Sequence, residues 1–139
     1  MADVVLINPI DKTQLRRNLG LKAPPLSLLY LASVLEKVGR SVKIIDDNLH
    51  ELGAKKVAER VSKYNPLVVG ITAATAVVKT ALKYIEEIKH RLPNTLTVIG
   101  GPHVSFMPVE TLESCPTLDV VVMGEGEDCL LYTSPSPRD

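Results

Sequence analysis

The sequence predicts an α/β fold: an open, parallel five-stranded sheet with helices on both faces. Three observations carry that prediction. Short apolar runs recur along the chain, as strands buried on both faces require. Stretches with apolar residues three and four apart separate them, and strands alternating with helices close as a parallel sheet. Right-handed crossovers then favour the strand order 2-1-3-4-5.

Val4-Val5-Leu6-Ile7 is the first strand, and Asn8-Pro9 ends it. A loop from Ile10 to about Ala23 follows, with Lys12, Arg16, Arg17 and Gly20. Connections this long in a compact domain are usually functional or mobile. Pro24-Pro25 opens a helix from about Leu26 to Val38, because proline suits a first turn. Its stripe is Leu28, Leu31, Ala32, Leu35 and Val38, and Gly39 terminates it. Val42, Ile44 and Ile45 form the second strand, ending at Asp46-Asp47-Asn48. A helix from about Leu52 to Tyr64 turns Val57, Ala58 and Val61 inward until Asn65-Pro66 breaks it.

Leu67-Val68-Val69-Gly70-Ile71 is the third strand, finishing in the small, hydroxylic Thr72-Ala73-Ala74-Thr75. A helix from about Ala76 to Arg91 carries Val78, Leu82, Ile85 and Ile88. Pro93-Asn94 turns the chain into the fourth strand, Leu96 to Ile99. A short helix near Pro108 to Ser114 comes after Gly100-Gly101-Pro102-His103. The fifth strand, Val120-Val121-Val122-Met123, ends in Gly124-Glu125-Gly126-Glu127, and the helix that should follow is missing.

Composition narrows the function classes. A chain of 139 residues is about one domain and long enough for a core without staples. Sixteen basic and sixteen acidic side chains cancel, which gives no nucleic-acid footprint. No apolar run reaches the ~18–20 residues that span a bilayer. Met1-Ala2-Asp3 leads straight into a strand, so no signal peptide is read. Cys115 and Cys129 form no CxxC, which argues for a reducing, cytoplasmic setting. The last stretch, residues 129–139, breaks the pattern. It reads as a translated sequencing adapter, a natural Ser/Pro-rich linker being the alternative. The domain is therefore taken as residues 1–128.

Open parallel sheets bind ligands beyond the carboxyl ends of their strands. Here those ends are Asn8-Pro9, Asp46-Asp47, Thr72 to Thr75, Gly100 to His103 and Gly124 to Glu127. All but the second are rich in small or turn-forming residues. Gly100 and Gly101 present no side chain, so a long ligand arm could enter a slot beside strand four. The hydroxyls of Thr72 and Thr75 could bond a ring nitrogen or phosphate of that arm. Each piece alone has a plainer reading. Gly-Gly can be a tight turn, Thr75 a helix cap, Gly-Glu-Gly an exposed turn and His103 a satisfied loop histidine. Their meeting at one sheet edge favours the joint reading. Asn8-Pro9 lacks the acidic side chains of a magnesium-binding phosphoacceptor site. Residues 10–21 supply no flavin phosphate loop, and no GxGxxG follows strand one.

At these motifs the chain resembles the N-terminal cobalamin (vitamin B12)-binding domain of cobalamin-dependent radical S-adenosylmethionine proteins. The resemblance rests on Val5-Leu6-Ile7-Asn8-Pro9, on Pro24-Pro25-Leu26-Ser27-Leu28-Leu29-Tyr30-Leu31-Ala32, on Gly39 and Val42-Lys43-Ile44-Ile45-Asp46. It rests further on Val68-Val69-Gly70-Ile71-Thr72, Gly100-Gly101-Pro102-His103 and Gly124-Glu125-Gly126-Glu127, and covers about residues 3 to 128. It implies a Rossmann-like, flavodoxin-like sheet that holds the corrin over the strand ends. Asn8, Pro9, Pro25 and Leu26 would bound the loop under the corrin. Thr72, Ala73 and Thr75 would lie near the displaced dimethylbenzimidazole tail. That tail would occupy the slot beside Gly100, Gly101, Pro102 and His103, with Gly124, Glu125 and Gly126 near its far end.

The loop after strand one holds no histidine, so the DxHxxG cobalt ligand of many such domains is absent. His50-Glu51-Leu52-Gly53 follows strand two and reads as surface, which leaves no residue assigned as a metal ligand. No CxxxCxxC is present to hold a [4Fe–4S] cluster. The resemblance therefore implies a non-catalytic fragment. Its parent would use cobalamin, S-adenosylmethionine and a [4Fe–4S] cluster, with a C-terminal radical domain as partner. Methyl transfer is the expected chemistry, although some relatives do ring or oxidation chemistry. Two other readings stand beside it: an interaction or regulatory module of flavodoxin-like fold, and a family member that no longer binds cobalamin.

Overall fold

The computed structural model describes residues 2–10, 26–72, 78–100, 113 and 115–122. Five strands form one parallel sheet: β1 (Val4–Asn8), β2 (Val42–Asp46), β3 (Val68–Thr72), β4 (Leu96–Gly100) and β5 (Val120–Val121). Their order is β2-β1-β3-β4-β5, as the crossover rule predicts. Four helices connect them among the described residues: α1 (Leu26–Lys37), α2 (Asp47–His50), α3 (Ala54–Tyr64) and α4 (Val78–Arg91).

The sheet divides the core into two layers. Val5, Ile7, Ile45, Val69, Ile71 and Ile99 face α3 and α4, where they meet Val57, Ala58, Val61, Tyr84, Ile85 and Ile88. The alternate residues Val4, Leu6, Val68 and Val98 face α1 through Leu28, Ala32 and Leu35. Strand residues that alternate between two apolar layers must all be apolar, hence the unbroken runs of the sequence. Gly70 is the exception inside β3. A Cβ there would sit 3.0 Å from Leu6 Cδ2, so the glycine makes room for its larger neighbour.

Some expectations change in detail. The turn α2 follows directly on β2, where the sequence suggested none before Leu52. The helix expected from about Leu52 begins at Ala54. Asn65 ends that helix with φ +46°, a left-handed conformation that asparagine tolerates, and Pro66 blocks continuation. Val38 is exposed, because α1 stops one residue earlier, at Lys37. Leu67 precedes β3 and is also exposed. The pairing of β5 covers Val120 and Val121, and Val122 continues it by donating its N–H to Ile99 O at 2.9 Å. The helix expected near Pro108 to Ser114 lies outside the described residues except Glu113, which is helical.

Candidate functional site

The carboxyl ends of the strands form an edge whose last residues share one face. Asn8 pairs in register with Asp46, and Thr72 pairs with Gly100. Alternation from Leu6, Ile44, Val68 and Val98 puts Asn8, Asp46, Thr72 and Gly100 all on the α1 side. Asp46, Asn8, Thr72 and Gly100 thus follow one another across β2, β1, β3 and β4. Each crossover helix runs back against its strands, so α1 begins at this same edge. Its first residue is Leu26.

The row is polar and half-buried. Asn8 Nδ2 donates to Asp46 Oδ1 at 3.0 Å, which ties the edge strand β2 to β1. Asp46 is the member that sequence reasoning missed. Its signal was available: it is the position after Ile45 in β2 that alternation assigns to the face of Ile44. At the other end of the row, a Cβ on Gly100 would lie 3.7 Å from Val122 Cβ, an ordinary contact. Nothing described around Gly100 therefore requires glycine, unlike Gly70. Gly100 presents no side chain at the carboxyl edge, where close approach to the backbone is possible.

Behind the row, on the α3–α4 side, sits a buried polar cluster. Asp47 is fully buried. Its Oδ1 accepts the Leu52 N–H at 2.7 Å, and its Oδ2 accepts the Gly53 N–H at 3.1 Å and the Tyr84 hydroxyl at 2.5 Å. The Tyr84 oxygen in turn accepts the Ile10 N–H at 3.3 Å. Burial pushes the Tyr84 phenol well above its ordinary range, and the Asp47 carboxylate pushes the same way against the weaker influence of the Ile10 N–H. The phenol therefore keeps its proton and donates it to Asp47. The charge of Asp47 is met by three donors, as a buried carboxylate requires.

Of the sequence-predicted site residues, Asn8, Thr72 and Gly100 are brought together in the row. Pro9 is buried directly behind Asn8, and Leu26 opens α1. Pro25, Ala73, Thr75, Gly101, Pro102, His103, Gly124, Glu125 and Gly126 lie outside the described residues. His50 is exposed at the end of α2. Among the described residues no cluster of three or more His, Cys, Asp or Glu could hold a metal ion, and no helix is long and apolar enough to cross a membrane.

This fold recurs in known proteins. An uncharacterized methyltransferase of Pyrococcus horikoshii is 39% identical over 124 residues, which cover 89% of this chain and 27% of that protein. An anaerobic magnesium-protoporphyrin IX monomethyl ester cyclase of Cereibacter sphaeroides is 35% identical over 109 residues, covering 78% of this chain and 18% of the cyclase. The chain thus spans little more than a quarter, or less, of these curated relatives. Among solved structures, the radical S-adenosylmethionine methyltransferase TsrM of Kitasatospora setae, with cobalamin and a [4Fe–4S] cluster bound, superposes with a TM-score of 0.77 at 24% identity. The match covers 96% of this chain and 26% of TsrM. OxsB, a cobalamin-dependent S-adenosylmethionine radical enzyme with aqua-cobalamin bound, gives 0.77 at 19% identity over the whole chain and 20% of its own. At these identities the structures speak to the fold. The family model of the B12 binding domain matches residues 13–131, and this chain belongs to that family.

Proposed function

We propose that this chain is the cobalamin-holding module of a radical S-adenosylmethionine enzyme, most often a methyltransferase, working in the reducing cytoplasm. The observation that carries the reading is the row Asp46–Asn8–Thr72–Gly100 on one face of the carboxyl edge, in a chain of the B12 binding family. The residues present suit the group. The corrin rim carries amide side chains, and the row offers a carboxylate, an amide and a hydroxyl to pair with them. Gly100, joined in sequence by Gly101, leaves room for the nucleotide tail.

When bound, cobalamin supplies the methyl-carrying cobalt chemistry. The protein's own part is binding and orientation. Asp46 accepts N–H donors from the corrin rim, with Asn8 fixing its rotamer. The hydroxyl of Thr72 would hold the tail, and by the resemblance Thr75, Ala73, Pro102 and His103 would lie near it. By the resemblance, Asn8, Pro9, Pro25 and Leu26 would bound the loop beneath the ring, and Gly124, Glu125 and Gly126 would lie near the far end of the tail. A C-terminal radical domain, with its S-adenosylmethionine and [4Fe–4S] cluster, would present the substrate from above. Residues 129–139 are taken as a non-native tail outside the domain. Resequencing the genomic locus tests this, since a native reading frame would continue differently after Asp128.

The test of the reading is a titration of the purified chain with hydroxocobalamin, followed through the visible absorption of retained ligand. Gly101→Leu should abolish retention while far-ultraviolet circular dichroism stays unchanged. Unchanged affinity in that variant would overturn the slot assignment. Failure of the folded wild-type chain to retain cobalamin would favour the ligand-free readings.

A further inference from the structure

The polar cluster behind the binding edge is larger than packing needs. Tyr84 is buried among Ala81, Ile85, Ile88 and the apolar residues of the α3–α4 layer, where a phenylalanine would fill the same volume. Its hydroxyl is held at both ends: it donates to Asp47 Oδ2 at 2.5 Å and accepts the Ile10 N–H at 3.3 Å. Asp47 also collects the N–H groups of Leu52 and Gly53. Three chain segments therefore meet at the Asp47–Tyr84 pair: the β2–α3 connection at the carboxylate, the exit of β1 at the hydroxyl, and the middle of α4, which carries Tyr84.

The position of this cluster matters more than its size. Asp47 adjoins Asp46 in the chain, and Ile10 is two residues past Asn8, so the cluster is one step behind both members of the Asp46–Asn8 pair. The chain from Ile10 onward leads to α1. Whatever holds Ile10 fixes the end of the β1 segment just past Asn8. A hydrogen-bonded hydroxyl with one donor and one acceptor partner accepts only one direction of approach by the Ile10 N–H.

We propose that Asp47 and Tyr84 are positioning residues for cobalamin: they preset the exit of β1, and with it the Asn8 end of the binding row, before the cofactor arrives. This rests on the reading that the carboxyl edge binds cobalamin. Presetting a loop removes the ordering cost that binding would otherwise carry, so its loss appears as weaker affinity rather than as a missing contact. Tyr84→Phe keeps the packing volume and leaves the Ile10 N–H and one lone pair of Asp47 without their partner.

The test compares Tyr84→Phe with Val61→Ala in the full chain. Val61 lies in the same apolar layer, near the end of α3 where Tyr64 O accepts the Ala2 N–H at the opposite edge of the sheet. It serves as a control for general loss of stability. At a temperature where both variants are folded, Tyr84→Phe should bind hydroxocobalamin about tenfold more weakly than wild type, the worth of one hydrogen bond. Val61→Ala should bind within about twofold of wild type, since additive distant sites do not couple. Equal loss in the two variants, or wild-type affinity in Tyr84→Phe, would overturn the proposal. A second measurement needs no variant. Hydrogen exchange of the Ile10 amide should already be slow in the cofactor-free chain, and fast exchange that becomes slow only with cobalamin would contradict presetting. Absence of binding by the wild-type chain is a different outcome, and it would count against the cobalamin reading itself.

Discussion

The two edges of this sheet use polar residues in opposite ways. At the amino-terminal edge they close on one another. Asp3 and Ser41 exchange backbone-to-side-chain hydrogen bonds, which join β1 to β2. The Leu67 N–H donates to Asp3 O at 2.8 Å, and Thr95 Oγ1 donates to Pro66 O at 2.9 Å. The Thr97 N–H donates to Asp119 Oδ2 at 2.9 Å, and Lys89 Nζ bonds both Asp119 and Thr95 O. These bonds run from β2 to β5 without a gap. At the carboxyl edge the Asn8–Asp46 bond ties two strands, and the row ends on Gly100, which presents no side chain. The first pattern closes the edge within the protein; on the proposed reading the second serves the cofactor. On that reading the two roles, stability and binding, sit a strand length of five residues apart.

The largest break in that contrast comes from filling the open edge. Gly100→Leu should lower cobalamin affinity by about 100-fold or more, an effect of the size seen at binding hot spots, with little change in the melting temperature. Equilibrium dialysis against hydroxocobalamin reads the first and calorimetry the second. The converse break is Asp119→Ala at the closed edge. It leaves the Thr97 N–H without its acceptor and Lys89 with only Thr95 O, and should cost about 1–3 kcal/mol of stability, while the folded fraction binds cobalamin as before. Denaturant titration with and without the cofactor separates the two effects.

Acid sharpens the contrast at smaller amplitude. Partial burial works to raise the Asp119 carboxyl, but the hydrogen bond and charge of Lys89 and the Thr97 N–H outweigh it, so the carboxyl lies below its ordinary value. The stability it lends is therefore present above the unfolded value of ~3.9 and is lost as pH falls through the lower folded value. Asp119→Asn should lower stability near neutrality and converge on wild type as the pH falls below about 4, which flattens the stability–pH curve there. The smallest effect is expected for Thr72→Val, which keeps the shape and removes one hydroxyl. Affinity should fall about fivefold or less, since a partly solvated hydrogen bond contributes about 0.5–1.5 kcal/mol, and the melting temperature should hold.

Periodicity made the fold legible, and the site was legible only in part. Apolar runs such as Val4-Val5-Leu6-Ile7 and Val68-Val69-Gly70-Ile71 identify doubly buried strands because both faces must be apolar. The strand ends then follow, and with them Asn8, Thr72 and Gly100. Asp46 was passed over because its strand end, unlike the other four, is not rich in small or turn-forming residues, and its place in the row rests on the register with Asn8, which is a tertiary fact. The Asp47–Tyr84 bond joins residues 37 apart, and nothing local in either stretch announces it. Tyr84 fits its helix as an apolar residue, and the cue was only that a tyrosine on a fully inward face needs a partner. Val38 misled in the other direction: it continues the stripe of α1 by spacing, yet the helix ends before it.

The measurement that tests the central claim most directly is amide chemical-shift mapping of the isotope-labelled chain during titration with a diamagnetic cobalamin. The account predicts saturable shifts at Asn8, Asp46, Thr72, Gly100 and Val122, with Asp3, Ser41, Thr97 and Asp119 unmoved. Shifts centred on the amino-terminal edge, or none at a cobalamin excess over a folded chain, would contradict it.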